Sequence, residues 1–63
     1  MDKLNEYNVT AQVVDKSQVD KQTILFNDSI FCATTEEAAQ IFNKTHQDIY
    51  NILKIYSITK VTP

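Results

Sequence analysis

The chain has 63 residues, with six lysines and no arginine against eight acids, and a net charge of −2. At that length it forms one domain, residues 1–63, able to remove only about 60% of its unfolded surface from water, so association with a partner helps stabilise it. The lack of glycine excludes glycine-rich phosphate loops, the single cysteine excludes an internal disulfide, and no apolar run reaches the roughly 18 residues of a membrane span.

The opening MDKLNEYN lacks the apolar core of a secretory signal, and the expectation is a cytoplasmic protein. Acids concentrate in the first half: Asp2, Glu6, Asp15, Asp20 and Asp28 stand there against Lys3, Lys16 and Lys21. The second half balances Glu36, Glu37 and Asp48 with Lys44, Lys54 and Lys60.

Tyr7, Val9, Ala11 and Val13 alternate with Asn8, Thr10 and Gln12, the period of two of a strand with one face on a core. The polar stretch Asp15 to Gln22 reads as a connecting loop. In TILFNDSIFCA, two β-branched and aromatic runs flank Asn27-Asp28, and these residues best replace glycine in a two-residue turn, so a hairpin is expected. Its register puts Leu25 opposite Ile30 and Ile24 opposite Phe31. Both faces are then apolar, one covered by helices and the other available as a dimer surface.

Thr34 precedes Glu37 by three, the capping-box spacing of a helix start. Ala38, Ala39, Ile41 and Phe42 follow at helical spacing, and Asn43 stands where helices end in a left-handed residue. Thr45 and Asp48 repeat the capping spacing, and Ile49, Ile52, Leu53 and Tyr56 mark one face of a second helix. Two helices of roughly ten residues joined by about two make an αα corner. After Lys54, IYSITKVTP reads as a final strand, either paired with the sheet or an incomplete wing. The expected fold is α+β, a small antiparallel sheet with a helix-turn-helix-like corner in the order βββααβ.

The run from Thr34 to Lys54, TTEEAAQIFNKTHQDIYNILK, resembles the helix-turn-helix core of small phage and plasmid regulators of excisionase-like and MerR-like type. It is also similar to the modular DNA-binding repeats of phage nucleases. In that resemblance Ala39 is the small residue where the helices touch, Asn43 the turn residue, and Ile49 and Ile52 seat the recognition helix. The resemblance implies a small DNA-binding regulator of double-stranded DNA; a homodimer is expected from the small size and the two-faced hairpin, and the residues themselves give no sign of catalysis, cofactor or metal. Thr45, His46, Gln47, Tyr50, Asn51 and Lys54 then form the reading face. Gln47 and Asn51 suit adenine, and Thr45 and Lys54 suit phosphates.

The second expectation is a phage-like accessory protein that binds a host or viral protein, with the helix pair as scaffold. Exposed Tyr50 fits either surface. A lone histidine and an apolar setting for Cys32 leave metal binding and nucleophilic catalysis without a recognisable constellation.

Overall fold

A computed structural model describes residues 4–61. Within them, strand β1 (Asn5–Asp15), strand β2 (Thr23–Cys32), helix α1 (Thr35–His46) and strand β3 (Tyr50–Val61) follow in that order. The strands form one antiparallel sheet in the spatial order β2-β1-β3, and α1 lies across one face. The order is therefore β-β-α-β, and the expected βββααβ fold with its helix-turn-helix corner is corrected.

The first strand follows its pattern. Tyr7, Val9, Ala11 and Val13 are buried and point toward α1, while Glu6, Asn8, Thr10, Gln12 and Val14 point away from it. Flanked on both edges, β1 organises the core with Ile30 and Cys32 from β2 and Ala38 and Phe42 from α1. Tyr7 keeps its hydroxyl satisfied by donating to the Ala33 carbonyl at 3.4 Å.

The expected hairpin is instead one continuous ten-residue strand. Asn27 and Asp28 lie in its middle, opposite Thr10 and Val9, and the chain does not turn there. The reversal comes earlier, in residues 16–22, where Lys21 adopts a φ of 54°. A branched side chain tolerates that region poorly, so an unbranched lysine stands in for glycine at a cost of about 1 kcal/mol. The polar pair is stable mid-strand because each side chain finds a partner. Asn27 exchanges hydrogen bonds with Asn8 at 2.9 and 2.6 Å and donates to Thr10 Oγ1 at 2.8 Å, while Asp28 reaches His46.

The helix starts as its capping residues require. Thr34 is the N-cap, extended at φ −136° and ψ 164°, and its hydroxyl oxygen accepts from the Glu37 backbone N–H at 3.2 Å. Glu36 and Glu37 in the first turn and Lys44 and His46 in the last complement the helix dipole. Asn43 does not end the helix. α1 runs three residues further, and Asn43 supplies the carbonyl that the Gln47 N–H bonds at 2.9 Å. Thr45, expected as a second N-cap, lies inside the last turn with its hydroxyl donating back to the Ile41 carbonyl at 2.7 Å. The side chain pressed against the sheet is Ala38, fully buried, rather than half-buried Ala39.

The expected second helix is strand β3. Ile52, Ile55 and Ile58 recur every three residues, a helical interval, yet they face Val13, Ala11 and Val9, which recur every two. Two register irregularities reconcile the counts, each inserting one residue of β3 between successive partners of β1. Residues three apart thus return to one sheet face. Of the two options for the C-terminal segment, it is a sheet strand and not a wing; Thr62 and Pro63 lie outside the described residues.

Candidate interaction surface

The six residues expected to read DNA do not form one face: Gln47, Tyr50 and Asn51 line a common groove, and Thr45, His46 and Lys54 lie outside it. Thr45 is exposed near the end of α1 and bonded to its own helix. His46 is half-buried at the last helical position. Its Nε2 lies 2.9 Å from Asp28 Oδ2, and its ring centroid lies 4.8 Å from both Phe26 and Phe42. Gln47 caps the helix, and its carbonyl accepts from Lys16 Nζ at 2.6 Å, a cation at the negative end of the helix dipole.

Tyr50 starts β3 half-buried, with its ring 5.2 Å from Phe26, so its expected place on an outer helix face is also corrected. Asn51 and Lys54 pair with Val14 and Gln12, whose side chains point away from the helix, and so lie on the opposite face of the sheet. Lys54 Nζ sits 5.1 Å from the centre of the Tyr56 ring, a cation–π distance.

Phe26, Phe42, His46 and Tyr50 form one aromatic cluster under the C-terminal end of α1. The Asp28 carboxylate lets the imidazole sit at the rim of an apolar core with its Nε2 satisfied. Cys32, by contrast, is buried beside the N-terminal end, and its thiol donates to the Thr34 carbonyl at 3.2 Å. Twelve helical residues at about 1.5 Å each separate the two ends by roughly 18 Å, so Cys32 and His46 do not form a nucleophile–base pair. Among the described residues no group of three His, Cys, Asp or Glu side chains is placed to hold a metal, and no helix is long and apolar enough to cross a membrane.

At the β1–β2 connection, Asp15 Oδ1 accepts from the Ser17 hydroxyl at 2.7 Å and from the Ser17 N–H at 2.9 Å. The hydroxyl and then the backbone bond favour the ionised form and hold this exposed carboxyl below its ordinary range, with Lys21 adding a smaller attraction. Nearby, Lys16, Asn43, Gln47, Asp48, Tyr50 and Asn51 line an open groove at the helix C-terminus. One bond crosses it, from Lys16 Nζ to the Gln47 carbonyl.

The largest feature is the sheet face that α1 leaves uncovered. Pairing across the strands arranges it in rows. Phe31, Glu6 and Val61 form one end. Ser29, Asn8 and Thr59 come next, followed by Asn27, Thr10 and Ser57. Then come Leu25, Gln12 and Lys54, and finally Thr23, Val14 and Asn51. The second and third rows contain only amide and hydroxyl side chains, already linked through Asn8, Asn27 and Thr10. Phe31 is 64% exposed, Leu25 68% and Tyr56 52%, and the Tyr56 hydroxyl bonds Gln12 Oε1 at 3.3 Å on this face.

Reading Asn27-Asp28 as a turn hid this face, because a turn there divides the strand that forms one side of it. The sequence carries no periodic signal for it, because after Thr23 the strand runs three apolar, three polar and three apolar residues in succession rather than alternating. No protein-family model, curated protein or solved structure matches this chain.

Proposed function

We propose that the chain is a non-enzymatic protein-binding module whose uncovered sheet face docks a partner protein. The observation that carries this reading is the row pattern of that face, an uncharged centre of Asn, Ser and Thr bordered by exposed Phe31, Leu25 and Tyr56. Rigid aromatic anchors around adaptable amide and hydroxyl groups suit protein recognition, as in binding loops rich in Tyr, Ser and Asn. At the centre the partner meets groups that hydrogen-bond without a charge to desolvate, and Glu6 and Lys54 stand in the rows that border it.

Size sets the character of the contact. Three strands about 4.8 Å apart and eleven residues at about 3.4 Å give a face of roughly 500 Å². A standard interface buries about 800 Å² per partner, so a single copy supports a weak, transient complex. Duplex DNA reading has lost the recognition helix on which it rested, and its six residues divide between two faces. Six lysines against eight acids also give little counterion release from phosphates.

The test immobilises the full chain and captures proteins from an extract of the cells in which it is naturally expressed, with a parallel titration of a random duplex pool across a salt series. The expected result is a captured protein lost with Tyr56→Ala and with Thr59→Lys, and no duplex binding at moderate salt. Salt-dependent duplex binding without capture, or capture indifferent to both substitutions, overturns the proposal.

A further inference from the structure

Among the described residues the sheet has two edge strands without a further partner, β2 and β3, and they differ. The β3 edge carries two register irregularities and Lys54 and Lys60, the bulges and charges that keep an edge from pairing with other chains. The β2 edge pairs with β1 without interruption from Thr23 to Cys32, and contains no bulge, lysine or proline. Its Leu25 and Phe31 side chains are largely exposed. A long regular edge with exposed apolar side chains is a template for another strand.

The sequence of β2 specifies which strand. A two-fold axis normal to the sheet keeps like faces together, so it pairs residues whose numbers add to a constant even total. For a total of 56, Leu25 faces Phe31, Phe26 faces Ile30, Ile24 faces Cys32 and Asn27 faces Ser29 of the second copy. Every apolar side chain meets an apolar one and every polar side chain a polar one. For a total of 54, Leu25 meets Ser29, Phe26 meets Asp28 and Phe31 meets Thr23, and the match is lost.

We propose that two copies of this chain associate edge to edge through β2, antiparallel and centred on Asp28, giving one six-stranded sheet with both helices on the same side. Asp28 then faces Asp28 of the second copy, the one unfavourable pair in this register. Each carboxylate already bonds the imidazole of its own His46 at 2.9 Å, and the residue opposite it on β1, Val9, is uncharged. The two uncovered faces become continuous and double in area. Association stands apart from partner binding, because it uses an edge and is read by mass.

Sedimentation equilibrium of the full chain over a concentration series tests the pairing. The expected result is a monomer–dimer equilibrium weakened at least about tenfold by Leu25→Lys or Phe31→Lys, with folding verified by circular dichroism. Both side chains are mostly exposed in the monomer, so these variants remain folded. Thr59→Lys, on the uncovered face but at the β3 edge, leaves the dimer intact, which separates edge pairing from face-to-face stacking. Asp28→Asn removes the like-charge pair at the axis and tightens the dimer severalfold. A monomer at every concentration, a dimer indifferent to Leu25→Lys and Phe31→Lys, or one broken by Thr59→Lys overturns the edge. A dimer that Asp28→Asn leaves unchanged or weakens overturns the register. Loss of partner capture with the dimer intact bears on the proposed function alone.

Discussion

Replacing Phe42 by alanine removes the largest fully buried side chain of the core. The ring is 0% exposed and contacts Phe26 and His46 at centroid distances of 6.0 and 4.8 Å, so alanine leaves a cavity enclosed by the aromatic cluster. Such truncations cost about 3–5 kcal/mol. At roughly 0.05–0.15 kcal/mol per residue, a chain of 63 residues has about 3–9 kcal/mol in total. Phe42→Ala is therefore expected to bring the protein close to its unfolding midpoint at 25 °C.

Phe42→Leu fills much of the same space and is expected to cost about 1.5 kcal/mol while the chain stays folded. Phe31→Ala is the control, since that ring is 64% exposed on the uncovered face, and its expected cost is within about 0.5 kcal/mol. Urea unfolding followed by circular dichroism and tyrosine fluorescence measures all three at low concentration, where self-association does not contribute. Equal losses for Phe42→Ala and Phe31→Ala would refute the packing of α1 on the β1 face.

Two further outcomes follow from the same geometry. Ile55→Lys buries a charge opposite Ala11 and is expected to cost about 2 kcal/mol or more, whereas Leu53→Lys, at a residue already 56% exposed, stays within about 0.5 kcal/mol in urea unfolding; comparable losses would argue against the two irregularities in β3. Asp15 is held below its ordinary pKa by Ser17, so its contribution is complete above the unfolded carboxyl pKa and is lost as pH falls through the lower folded value. Asp15→Asn is therefore expected to flatten the acid limb of a stability–pH profile below about pH 4, and an unchanged limb would remove the Ser17 bonds as its cause.

Much of this fold is legible in local chemistry. The alternation from Tyr7 to Val13 identifies the central strand, because a one-residue slip would carry every valine to the wrong face. Thr34 and Glu37 fix the start of the helix, since their bonds close within three residues and need nothing distant. The polar stretch before Thr23 marks the connection, although the strand before it extends to Asp15.

The remainder depended on partners far along the chain. Asn27-Asp28 carries turn chemistry, but a turn forms only when no better partner exists, and Asn8, Thr10 and His46 supply those partners from 17 to 19 residues away. Ile49, Ile52 and Leu53 look helical because periodicity is counted along one strand, whereas a bulge is defined by two. Only pairing with β1 shows that the three-residue steps from Ile52 to Ile58 match two-residue steps opposite.

The candidate reading face dispersed for the same reason. Its six residues are neighbours on a helix of period 3.6, whereas a strand of period two sends Tyr50 and Asn51 to opposite sides of the sheet, and the irregularity at Leu53 returns Lys54 to the side of Asn51. By itself the sequence determined a core strand, a helix start and a connection, all set within a few residues. The tertiary structure decided which residues between Gln47 and Val61 share a face and which face stays open, because those depend on hydrogen bonds to a strand more than thirty residues earlier.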